Sequence, residues 1–153
     1  MTLTKLLKPE LALVKIICAS KDELIAKLVR HIHDTGWELP LKEEDLLKTI
    51  NMREQIGGTL LPSGLSIPHA RLENFEDFVL ALAVPAKPLF HEGHKIRLAA
   101  MMITSQSGGP WYLPVLAALT RISRDEKYFS RLCGAENPGD FINILRERDT
   151  ELA

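Results

Sequence analysis

Two uninterrupted apolar runs constrain the fold most: Phe78 to Pro85, FVLALAVP, and Ile96 to Ile103, IRLAAMMI, the second broken only by Arg97. Successive side chains of a strand point to opposite faces, so a sheet with one wet face reads as apolar–polar alternation. Runs without alternation need cover on both faces. The sequence therefore predicts an α/β fold in which helices flank a sheet on both sides, a three-layer α/β/α sandwich. The order of the strands does not follow from it.

The remaining segments supply those helices and an outer strand. Leu11 to Cys18, LALVKIIC, reads as a strand. Ser20 caps a helix from Lys21 to about His33, with Leu24, Ile25, Leu28, Val29 and Ile32 as its apolar stripe and Asp22 and Glu23 at its positive end. Gly36 ends it, and Trp37 packs over the connection. A second helix spans about Lys42 to Arg53, burying Leu46, Leu47 and Ile50. Small residues, Thr104 to Gly109, then lead into a helix that starts near Trp111 to Leu113 and ends near Ile122. Pro114 fits only in its first turn, and its stripe reads Leu113, Leu116, Ala117 and Leu119. Asp125 or Ser123 caps a short helix carrying Tyr128, Phe129 and Leu132 and closed by Gly134. Pro138 opens a last helix with Phe141, Ile142 and Leu145 inward.

Size and charge narrow the function classes. At 153 residues the chain suits one domain, and its 46% apolar and 25% charged residues are ordinary for a folded protein. Nineteen basic against 20 acidic residues leave no footprint for nucleic acid. The N-terminal stretch has no unbroken signal-peptide core, and no run reaches membrane-spanning length, so a cytoplasmic protein without membrane insertion is expected. Cys18 and Cys133 lack CxxC spacing and stand in apolar surroundings, as buried free thiols do. His91 and His94 fall in the loop between the two central runs without a further ligand, and His31 and His33 share no helix face, so no metal is expected.

Chemistry concentrates in Gly57 to Leu72, GGTLLPSGLSIPHARL. Gly and Pro impose turns, and the short apolar run between them places His69 at the end of a strand or on the loop leaving it. Pro68 fixes its own φ and biases Ile67 towards an extended backbone. A histidine held this way suits a nucleophile, a ligand or a general base. It equally suits a structural role, donating one hydrogen bond to a loop carbonyl. Arg53, at the end of its helix, is either a solvated charge or a forked donor near His69. The Thr104 to Gly109 loop offers backbone N–H groups at a helix start but no Walker A lysine.

Arg53-Glu54, Gly58-Thr59 and Gly64-Leu65-Ser66-Ile67-Pro68-His69-Ala70, continuing into Arg71-Leu72, resemble the active-site signature of the fructose/mannitol-type EIIA (type 2) domains of the bacterial phosphotransferase system, which include nitrogen-regulatory forms. The likeness runs from about Leu11 to about Arg146. It implies a central mixed sheet and no cofactor. It implies that His69 takes a phosphoryl group from HPr or an HPr-like carrier and passes it to a cysteine of an EIIB domain, or that its phosphorylation state regulates a target protein. Arg53, Thr59 and Ser66 become candidate phosphate or orientation contacts, joined by backbone at Gly108 and Gly109. An exposed apolar rim including Trp111 or Phe90 is expected for partner docking, and relatives often form homodimers.

One position departs from the pattern. The family places a second, assisting histidine at the head of His-Leu-x-x-Leu-x-x-Leu, and here the segment begins Tyr112-Leu113-Pro114-Val115-Leu116. A phenol donates a hydrogen bond but carries no positive charge. Two further readings therefore stand beside the phosphoryl carrier. One is a regulatory or binding module of the same fold that transfers phosphate poorly or not at all. The other is a hydrolase around His69, with Ser63 and Ser66 near in sequence but neither a GxSxG elbow nor an evident acid partner.

Overall fold

The computed structural model describes residues 1–149 and 151–152. A short helix α1 (Leu3–Leu6) and a 3-10 turn at Pro9–Leu11 lead into β1 (Ala12–Ile16), then α2 (Lys21–Asp34) and α3 (Glu43–Ile56). The strands β2 (Leu65–Ser66), β3 (His69–Leu72) and β4 (Val79–Pro85) follow, then a hairpin of β5 (Leu89–His91) and β6 (His94–Ile96), and β7 (Leu98–Ser105). The chain continues through α4 (Tyr112–Arg124), α5 (Glu126–Cys133) and α6 (Pro138–Arg146).

The main sheet has the order β1-β4-β7, with β2 and β3 both on the far edge of β7. β1 lies parallel to β4, β4 antiparallel to β7, and β7 parallel to β2 and β3, which makes the sheet mixed. Every residue of β4 and β7 is buried. Both faces are thus covered, as the unalternating runs require. α2 packs on α3, while α4, α5 and α6 pack in succession.

Local chemistry accounts for the helix starts. Ser20 Oγ accepts from the Glu23 N–H at 3.1 Å while the Glu23 carboxylate accepts from the Ala19 N–H at 3.0 Å, a reciprocal cap. Asp125 and Asn137 cap α5 and α6 in the same sense, accepting from Tyr128 and Asp140. Gly134 and Pro138 stand at the predicted helix end and start.

Several expectations are corrected. Leu11 belongs to the 3-10 turn and β1 stops at Ile16, where Lys15 at φ 58° disrupts the register with β4. β7 begins at Leu98, because Ile96 pairs with Leu89 in the hairpin. His91 and His94 are paired across that hairpin instead of lying in an open loop. In α4 the buried stripe is Val115, Ala118, Leu119 and Ile122, and Leu113 is 72% exposed. The helix opens at Tyr112, within the expected range, and Pro114 fits in its first turn without a lost N–H bond, while packing turns the Val115–Ala118 face inward and leaves Leu113 outside. In α6 the inward residues are Phe141, Ile144 and Leu145, with Ile142 at the margin. Both cysteines are free, as expected, but only partly buried.

The largest correction concerns His69. β2 and β3 are one strand with a gap: Leu65 pairs with Leu98, Ser66 with Ala99, and then, without slippage, His69 with Met102 and Leu72 with Ser105. The ladder skips Ile67–Pro68 because proline has no N–H to give, yet the Pro68 carbonyl still accepts from the Met102 N–H at 3.0 Å. Proline thus interrupts the bonding without ending the strand. His69 sits in the middle of an edge strand of the sheet.

Candidate functional site

A continuous register assigns side chains to faces. Residues two apart on a strand share a face, so His69 and Arg71 lie on one side and Ser66 and Ala70 on the other. Ser66 is 1% exposed, and its hydroxyl has no hydrogen-bond partner among the described residues. The structure therefore does not bring Ser66 to the histidine. Arg71, which carried only the tail of the resemblance, does share its face.

His69 is less open than expected, at 6% exposure. Its Nδ1 lies 3.2 Å from the Ile67 carbonyl oxygen, an acceptor that fixes the proton on Nδ1. The same oxygen accepts from the Thr59 hydroxyl, and the Ile67 N–H donates to the Thr59 carbonyl at 3.0 Å. Thr59 therefore braces the carbonyl that orients the ring, and its own hydroxyl is committed to backbone. Nε2 has no partner among the described residues and is not one of the sealed, unpartnered side-chain atoms.

Burial holds the His69 pKa below its ordinary 6.5, because a charged ring would lose solvation. The bond to Ile67 works against this, as does Glu54, while the charges of Arg53 and Arg71 reinforce it. At neutral pH the imidazole is neutral, with its proton on Nδ1 and a lone pair on Nε2. That is the state a nucleophilic histidine requires.

The other named residues come from α3, from α4 and from the turn before it. α3 extends past Arg53 to Ile56, so Arg53 reaches the glycine turn from within the helix: its Nη1 donates to the Gly57 carbonyl at 2.9 Å. Beside it, Glu54 pairs with Lys21 of α2 at 2.9 Å, the side chains 8% and 6% exposed. Tyr112 opens α4 and meets His69 edge-on, ring centroids 5.5 Å apart at 70°. Gly108 and Gly109 form the turn before α4 with φ of +95° and +65°, a conformation that favours glycine. A Cβ at Gly108 would stand 3.9 Å from Arg71 Nη2, which places this turn beside the Arg71 guanidinium.

The surface near these elements carries apolar side chains. Leu113 follows Tyr112 on α4, and Met52 and Ile56 flank Arg53 on α3 at 60% and 84% exposure. Trp111 is half-buried. Phe90 is 71% exposed on the hairpin whose His91 and His94 line a cleft of about 710 Å³ with Lys21 and Glu54. His69 is not among the walls of that cleft.

A hydrolase would need His69 Nδ1 against a carboxylate and Nε2 against a serine hydroxyl. Nδ1 is engaged by a backbone carbonyl instead, and neither Ser63 nor Ser66 has a hydrogen-bond partner for its hydroxyl among the described residues. No group of His, Cys, Asp and Glu among those residues is arranged to hold a metal ion. No helix among them is long and apolar enough to cross a membrane.

Comparison with known proteins points one way. The chain is 25% identical over 153 residues to the 2-O-alpha-mannosyl-D-glycerate-specific EIIABC component of the phosphotransferase system of Escherichia coli; the match takes in 97% of this chain but only 23% of that much longer protein. It is 23% identical to a nitrogen regulatory protein of Bradyrhizobium diazoefficiens, over 95% of each. Its fold matches the nitrogen regulatory protein IIA-Ntr of Neisseria meningitidis with a TM-score of 0.75 at 17% identity, covering 93% of this chain and 97% of that one. Enzyme IIA of the E. coli mannitol system, solved in complex with its phosphorylated enzyme IIB, matches at 0.73 and 16% identity, covering 92% and 97%. Residues 5–148 match the family described as phosphoenolpyruvate-dependent sugar phosphotransferase system, EIIA 2, and the chain belongs to it.

Proposed function

We propose that this protein is a cytoplasmic phosphoryl carrier working through His69. The observation that carries this reading is the bond from Nδ1 to the Ile67 carbonyl, which leaves the Nε2 lone pair free on a ring that feels the charges of Arg53 and Arg71. In the proposed step, Nε2 attacks the phosphorus of an N-phosphohistidine on HPr or an HPr-like donor. The P–N bond of the donor breaks as the new one forms, and its electron pair returns to the donor imidazole. No metal or cofactor enters, so catalysis rests on alignment and on cations that match the phosphoryl oxygens. Arg53 is the first such cation. Thr59 acts by holding the Ile67 carbonyl, and the turn before α4 offers the Gly109 N–H, that of Gly108 being donated to the Ser105 carbonyl at 2.9 Å. The group then passes to a cysteine of an EIIB domain, or its presence is read by a regulatory target.

The exposed Met52, Ile56 and Leu113 are the apolar surface we assign to these encounters. Phe90, also exposed, stands on the hairpin whose His91 and His94 line a cleft with Glu54, Gly57 and Gly58. Incubation with phosphoenolpyruvate, Enzyme I and HPr, followed by intact-mass measurement, tests the reading. One acid-labile phosphoryl group, absent in His69→Ala, is the result expected. An unlabelled but folded protein would instead favour the second reading, a regulatory or binding module that no longer transfers phosphate. The uncharged Tyr112 and the 6% exposure of His69 are the observations on that side.

A further inference from the structure

We propose that Arg71 supplies the positive charge that position 112 lacks, with the Tyr112 ring as the platform that holds it at the phosphoryl site. This inference rests on the carrier reading and adds a residue to it. Arg71 follows His69 by two positions on a strand whose register is unbroken, so both side chains leave the same face. Its Cζ lies 5.7 Å from the centroid of the Tyr112 ring, within the roughly 6 Å over which a ring face attracts a guanidinium. That same ring meets His69 edge-on at 5.5 Å. Tyr112 therefore touches both the nucleophile and the cation.

The guanidinium is also uncommitted. Arg53 spends Nη1 on the Gly57 carbonyl, and Arg97 and Arg131 are tied to carboxylates. Arg71 has no hydrogen-bond or ion-pair partner among the described residues, although a charged side chain of that length has many to find on a surface. Its five N–H groups stand next to the positive-φ turn at Gly108, on the side from which α4 presents its uncapped first turn. A phosphoryl group on Nε2 brings about two negative charges and three acceptor oxygens to this place. A free, forked donor resting on an aromatic face answers that need as a protonated histidine would, without depending on pH. Tyrosine at position 112 is then a change of means: the charge moves from the first residue of α4 to the second residue after the nucleophile.

Phosphoramidate, a small phosphoryl donor, separates this role from protein docking. With the full chain, Arg71→Gln is expected to slow labelling of His69 by about 10- to 100-fold, the span of one charge-assisted hydrogen bond, and Arg71→Lys to recover part of that loss. In the unphosphorylated protein, NMR titration of His69 is expected to show a higher pKa in Arg71→Gln than in the wild type, since one repelling charge has gone. Arg71 is exposed, so folding is not at stake. Equal labelling rates and equal pKa values in wild type and Arg71→Gln overturn the inference. Wild type labelled by phosphoramidate but not by HPr sinks the carrier reading alone, and wild type labelled by neither sinks both.

Discussion

Lys21→Met tests how the site is anchored to the rest of the molecule. The Lys21 ammonium and Glu54 carboxylate meet at 2.9 Å with 6% and 8% of their side chains exposed, and they join the first turn of α2 to the last turn of α3. Taking two charges out of water costs several kcal/mol each. Although the ammonium stands 2.9 Å from Glu54 Oε1, neither Glu54 oxygen has a hydrogen-bond partner of good geometry among the described residues, so their attraction returns at most about that cost and the pair adds little net stability. Removing one partner is different, because the other charge stays buried and unanswered. Lys21→Met is therefore expected to cost about 3–5 kcal/mol, and the double variant Lys21→Met/Glu54→Gln much less than the sum of the single changes. At about 2–4 °C per kcal/mol for a chain of this size, the single variant should melt roughly 6–20 °C lower. Urea denaturation of the four proteins in the cycle supplies the numbers. A loss below about 1 kcal/mol for Lys21→Met, or additive losses in the double variant, would refute the argument and show that water reaches the pair.

Three further outcomes follow from the site. Because burial depresses the His69 pKa, the unfolded chain binds a proton more readily than the folded one between the folded value and the ordinary 6.5. Stability contributed here is complete above pH 6.5 and lost as pH falls towards the folded pKa, so denaturation midpoints of wild type should fall more steeply than those of His69→Gln on acidification; parallel curves would contradict this. Thr59→Val removes the hydroxyl that braces the Ile67 carbonyl and should cost about 1 kcal/mol and slow phosphorylation of His69, measured by denaturation and by labelling. Gly64→Ala puts a Cβ 2.8 Å from Arg97 Cδ at φ +98°, and Arg97 is the residue that holds Glu126 and Ser130 of α5. A loss of about 1–3 kcal/mol is expected in thermal melts, and a neutral result would mean that Arg97 moves freely.

The double cover of the sheet was legible in the sequence because unalternating apolar runs admit few arrangements, and Phe78–Pro85 and Ile96–Ile103 do form its paired central strands within a residue or two. The helix caps were legible as well, since Ser20, Asp125 and Pro138 act on their own neighbours. His69 itself was visible in the turn chemistry around it, but its setting was not. Whether a strand survives a proline depends on the partner strand, here β7, and that pairing is a property of the fold. Placing His69 at the end of a strand or on the loop leaving it concealed the face it shares with Arg71, and hid that Ser66, a candidate through the resemblance, lies on the opposite one. The i, i+2 spacing of His69 and Arg71 was the available signal. Leu113 went astray for a related reason: three of the four residues from Tyr112 to Val115 are apolar or aromatic, and only packing in the fold decides which of them faces inward.

Nitrogen-15 NMR of the phosphorylated, histidine-labelled protein tests the account at its centre, because the phosphoryl group shifts whichever ring nitrogen carries it. The geometry predicts one modified histidine, His69, with phosphorus on Nε2 and a proton retained on Nδ1 for the Ile67 carbonyl. Phosphorus on Nδ1, or on a histidine other than His69, would contradict it.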